Sequence, residues 1–206
     1  MGYGPGEVSE AVRFRYMLRA EGVTIWGWVM YRCTYQSDAQ WQTFMDIVNS
    51  RVREQLEYDG DLHLMDTLDW HVQEDQRYAS ASKDEIRNIR DDISQGERDP
   101  RWRYCIAVDQ QCLESVISGA YPEFAALNDY GYVYLIDSTW GEEPEGEERE
   151  LNDEDDDEPP IEGCVKEDIG VIKLDTRVVG PRWFLLMWGI GWEDQYKRIP
   201  ERVDLT

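Results

Sequence analysis

The chain has 206 residues, with 44 Asp and Glu against 21 Lys and Arg, a formal net charge of -23, and 12% aromatic content including nine Trp. That length fits one domain, and large rings supply enough burial for a core without disulfide staples. The charge argues against phosphate backbones and anionic lipid, since affinity for both comes mainly from Lys and Arg neutralising fixed negative charge.

Residues 1 to 22 read as a Gly-rich leader followed by a short helix, "SEAVRFRYMLRA". Arg13, Arg15 and Arg19 interrupt any apolar run of signal-peptide length, and Gly6 stands where a myristoylation signal wants Ser or Thr. The segment "VTIWGWVMYRCTYQ" then predicts a strand that is apolar on both parities, hence central and covered on both faces. Ser37 with Gln40 forms a capping box ahead of a helix whose Trp41, Phe44, Met45, Val48, Val52 and Leu56 recur at helical spacing until Gly60.

"LDWHVQED" alternates like a half-exposed strand near an edge, and Ser82 with Glu85 caps a short exposed helix. "RWRYCIAVD" predicts a strand, "QQCLESVISG" a helix capped by Asp109, and "YGYVYLIDSTW" a fourth strand. After the acidic stretch, "DIGVIKLDTRVV" supplies a fifth strand, Gly180 and Pro181 a helix start, and "RWFLLMWG" a segment apolar nearly all round that must be buried. Its uncharged extension, Trp183 to Trp192, has half the length of a membrane span.

This order predicts an α+β fold, a ferredoxin-like two-layer sandwich of about five strands with three to four helices. The core spans 23–140, an acidic disordered insertion 141–163, and a C-terminal strand and helix 164–206 complete the same domain. Such a sheet leaves one face open, whereas the first strand is apolar on both. The second face is therefore expected to be covered, by the Trp-rich C-terminal segment or by a second subunit in a homodimer. In the insertion, residues 142 to 158 hold twelve acids and one Arg, contributing -11 and leaving -12 on the remainder. Its residues Glu142, Glu143, Glu147, Asp155, Asp156 and Asp157 form a candidate surface for a basic partner.

The run "WGWVMYRCTYQSDAQW" (Trp26 to Trp41), with "TLDW", "SKDEIR" and "YCIAVDQQCLESV", resembles a large group of uncharacterised proteins of filamentous ascomycete fungi. The resemblance covers roughly residues 24 to 140. It implies a fungal intracellular protein and brings no activity, cofactor or site residue with it.

The search for chemistry yields few candidates. Cys33, Cys105, Cys112 and Cys164 show no C-x-x-C spacing, and with two His in the chain a zinc site is disfavoured. Cys33 or Cys105 facing His71 would make a nucleophile with its base, but mid-strand cysteines between large apolar residues read as buried hydrophobes. Asp61, His63 and Asp66 have only a loose likeness to a metal site. Trp26, Trp28, His71, Trp102 and Tyr104 form a candidate aromatic pocket, which could equally be a filled core.

No catalytic residue, metal or cofactor is assigned. The expectation is a soluble, cytoplasmic, non-enzymatic acidic module that binds a basic protein or peptide, without nucleic acid or membrane. The alternative is a small ligand-binding or enzymatic α/β barrel with a Trp-lined pocket and His71 as acid or base.

Overall fold

The computed structural model describes residues 8–90, 99–120, 130–141, 161, 164 and 168–203. Its elements in chain order begin with α1 (Glu10–Ala20), β1 (Val29–Arg32), α2 (Asp38–Asp59), β2 (His71–Gln73) and α3 (Lys83–Arg90). They continue with α4 (Pro100–Arg103), β3 (Tyr104–Val108), α5 (Gln110–Ser118), β4 (Tyr132–Asp137), β5 (Val171–Asp175), α6 (Pro181–Gly189) and β6 (Arg202–Val203). Two 3-10 turns, Leu62–Thr67 and Gln76–Tyr78, flank β2.

The helix borders follow their caps. Ser37 Oγ accepts from the Gln40 N–H at 3.2 Å, and Gly60 ends α2 in the left-handed region at φ 77°. At α3 the capping box is reciprocal: Ser82 Oγ accepts from the Glu85 N–H at 3.2 Å, and Glu85 Oε2 from the Ser82 N–H at 2.7 Å. Asp109 caps α5 through the Cys112 N–H.

The six strands form one mixed sheet in the order β2-β1-β3-β4-β5-β6. β1 runs parallel to both neighbours, β3, β4 and β5 alternate, and β6 is parallel to β5. The α+β class therefore holds, with six strands, six α-helices and two 3-10 turns among the described residues. The connectivity departs from a ferredoxin-like sandwich. Parallel neighbours require a crossover, here α2 between β1 and β2, and "VTIWGWVMYRCTYQ" spends its first half on another task.

That other task begins at Gly27, whose φ of 120° breaks the strand; a Cβ there would run into the Asp69 carbonyl. Trp26 consequently makes only an isolated bridge to Leu68, and its indole donates to the Leu64 carbonyl at 2.7 Å. Trp28 donates to the Val179 carbonyl at 2.8 Å and packs on Phe184 of α6, with ring centroids 5.0 Å apart. On this side α1 packs against both α2 and α6, while α2 packs along α5.

The opposite side of the sheet is covered too. Tyr31, Ala107 and Tyr134 are register partners on one face. There Tyr78 meets Tyr31 edge-on at 5.2 Å, and Lys83 lies 4.4 Å from the centre of the Tyr134 ring. The segment from Gln76 through α3 thus supplies the cover expected of the C-terminal region or a second subunit. The C-terminal region instead extends the sheet through β6 and packs α6 against α1.

The expected acidic insertion falls mostly outside the described residues, but its two flanks are tied together. The Trp140 indole donates to the Asp168 carbonyl at 3.1 Å, and the Trp192 indole to the Asp168 carboxylate at 2.8 Å. Arg87, buried, donates to the carbonyls of Asp137 and Ile169 at 3.1 Å each and lies over the Trp140 ring.

Candidate functional site

The structure does not gather the five aromatic-pocket candidates around a space. Trp26 and Trp28 are fully buried and wrapped by Phe14 and Phe184. Tyr104 stacks on Trp192 at 5.6 Å with planes 10° apart. Trp102 is half-buried beside the Arg101 guanidinium, and His71 is exposed on the edge strand β2. The rings fill the core because α1 and α6 press against them.

The loose metal trio divides in the same way. His63 and Asp66 are exposed with a 3.8 Å separation, whereas Asp61 is buried against Arg15 at 2.6 Å. Glu142, Glu143, Glu147, Asp155, Asp156 and Asp157 lie outside the described residues.

The thiols are poorly suited to nucleophilic work. Burial, followed by the neighbouring Asp109 carboxylate, pushes the Cys33 thiol up to about 12, and the same two causes raise Cys112 well above the usual thiol range. Only a thiolate attacks efficiently, so these groups act as small apolar fillers.

What the structure does present is an open groove of about 700 Å³ on the outer face of α2. Its floor is a stripe at spacings of three and four residues: Ile47, Ser50, Arg51, Glu54, Gln55 and Tyr58. This polar stripe lies beside the apolar one that buries Phe44, Val48, Val52 and Leu56. Its recurrence at helical spacing was present in the sequence, where only the apolar stripe stood out.

The walls come from three other places. Ser9 caps α1 and donates its hydroxyl to the Asp59 carbonyl at 2.9 Å, which brings Glu10 and Asp59 side by side at one end. Gly180 abuts the Gln55 amide so closely that a Cβ would meet Oε1 at 2.7 Å, and this contact seats Arg182 on the rim. Tyr130, just before β4, and Arg177, just after β5, close the third side.

No family model, curated protein or solved structure matches the chain.

The chemistry of the groove is zwitterionic, with Glu10, Glu54 and Asp59 facing Arg51, Arg177 and Arg182. Arg177 is clamped by Asp175 through two hydrogen bonds of 3.1 and 3.0 Å and lies 4.0 Å from the centre of the Tyr130 ring. Arg182 approaches Glu10 only to 3.9 Å. Arg51 donates to the Tyr130 carbonyl at 2.5 Å and to the Thr176 hydroxyl, both neutral, and among the described residues it forms no ion pair.

Partial burial shows in the titration of both signs. It pushes the Glu10 carboxyl above the usual carboxylate range, outweighing the pull of Arg182, and it lowers the Arg51 guanidinium. Gln55 adds a buried Oε1 without a hydrogen-bond partner among the described residues.

Proposed function

We propose that this chain is a non-enzymatic interaction module that binds a cationic protein or peptide, and that the groove on α2 receives a basic side chain of that partner. The observation that carries the reading is the acceptor-rich end of the groove. Glu10, Glu54 and Asp59 line it together with the buried Gln55 Oε1, and burial has already pushed the Glu10 carboxyl up. An incoming ammonium adds positive charge and donors at an end where the carboxylates outnumber the one guanidinium that lines it, Arg182. The net charge of -23 draws such a partner in from a distance.

The test is fluorescence anisotropy with a labelled oligolysine peptide. Affinity falls about tenfold or more between low and physiological salt, and Glu10→Gln with Glu54→Gln weakens it further at constant salt. Deleting residues 142 to 158 slows association more than it speeds dissociation. Affinity indifferent to salt and to the double substitution would refute the reading.

The alternative of a Trp-lined catalytic or ligand pocket draws no support from the geometry, since Phe184 packs against Trp26 and Trp28 and His71 is exposed on the edge strand. We further propose a reducing intracellular setting, in fungi, supported by the sequence resemblance and by the buried thiols of Cys33 and Cys112. Among the described residues no helix is long and apolar enough to cross a membrane.

A further inference from the structure

Arg182 is the guanidinium that meets the acid end of the groove, and it meets it loosely. Its Nε stops 3.9 Å from Glu10 Oε1, beyond hydrogen-bond reach and the longest ion pair among the described residues. Elsewhere the fold grips its arginines: Arg103 holds the buried Asp137 at 2.9 Å, and Arg177 holds Asp175 through two hydrogen bonds. The looseness has a structural cause. Pro181 opens α6 and Arg182 follows it in the first turn, where the helix dipole disfavours a cation. Gly180, pressed on the Gln55 side chain, anchors the backbone of that turn, so movement is left to the side chain. The Arg182 and Glu10 side chains are 33% and 34% exposed, which leaves the pair within reach of water and of an incoming ligand. Glu10 registers the same weakness, since burial raises its carboxyl more than Arg182 lowers it.

We propose that Arg182 is an internal competitor: its guanidinium rests against Glu10 at the acid end of the groove and swings aside when a cationic side chain of the partner is seated there. The idea rests on the cationic-partner reading above and adds a threshold to it. A half-exposed ion pair of this kind contributes little to stability, so its displacement lowers the partner's affinity only on the order of two- to fivefold. A multiply charged peptide clears that threshold through its other contacts with the protein, whereas a ligand with one cationic group has nothing to offset it.

The labelled oligolysine peptide reads this contact in the intact chain at physiological salt. Arg182→Gln is expected to tighten binding about fivefold, and Arg182→Met, a second neutral replacement, to do the same. Removing any arginine makes the protein more negative, so Arg19→Gln serves as the charge control. Arg19 is exposed in the last turn of α1, nine residues from Glu10, which is about 13 Å of helix and beyond the Debye length. Its effect should stay below about twofold. Melting temperatures verify that each variant is folded. In a Glu10→Gln background, Arg182→Gln should lose most of its effect, because the contact it releases is already gone. Unchanged or weaker binding by both Arg182 variants, a gain matched by Arg19→Gln, or an undiminished gain in the Glu10→Gln background overturns the competitor and leaves the parent reading standing. Failure of the parent and of the Arg182 variants alike to bind the peptide removes both.

Discussion

Glu10 sits where three influences meet: the first turn of α1, the Arg182 guanidinium and partial burial beside Asp59. Burial wins, so the folded protein holds the Glu10 proton more tightly than the unfolded chain does. The resulting stabilisation is fully present below the ordinary carboxyl value and is lost as pH rises through the higher folded value. Glu10→Gln fixes the neutral state. Relative to the parent, its melting temperature should therefore gain as pH rises from the ordinary carboxyl value through the higher folded one and then level off, as followed by circular dichroism. A variant that loses ground over that interval would show that the Arg182 contact dominates. The groove residues were only half legible in the sequence. Arg51, Glu54, Gln55 and Tyr58 recur at helical spacing, but their partners Arg177 and Arg182 lie more than a hundred positions away, and Glu10 comes from the opposite end of the chain.

At the scale of elements, α6 is what turns a set of tryptophans into a core. Phe184 contacts Phe14, Trp26 and Trp28 with centroid distances of 5.4, 6.4 and 5.0 Å, joining α1, the bent segment before β1 and α6 in one cluster. Phe184→Ala should cost about 3–5 kcal/mol, a fall in melting temperature on the order of 10 °C, read by thermal unfolding. A loss smaller than about 1 kcal/mol would mean the rings close over the gap. Capped helices were the most readable elements, because Ser37, Ser82, Asp109 and Gly60 act through contacts within a few residues. The first strand is shorter than its apolar pattern predicts because Gly27 takes a φ of 120° to clear a carbonyl forty-two positions away, a constraint invisible to local pattern. The two-residue β6 carries no periodic signal at all.

For the whole molecule, the charge divides into a share the fold needs and a share it does not. The paired carboxylates Asp137 and Asp175 are buried against Arg103 and Arg177, and their loss would strand those guanidinium groups. Residues 142 to 158 contribute -11, and the chain on either side is already joined through Trp140, Asp168 and Arg87. Deleting them should leave a single cooperative thermal transition at an unchanged or higher temperature, with the gain largest at low salt where self-repulsion is least screened. Loss of that transition would show that the stretch belongs to the fold. The sheet's outer strands carry a different consequence. β2 has three residues and β6 two, so among the described residues six strands expose very little unpaired backbone to a passing chain. An assembly that ends so bluntly offers no template for growing filaments, and an aromatic-rich sheet can remain dispersed at concentrations where a longer rim would recruit copies of itself.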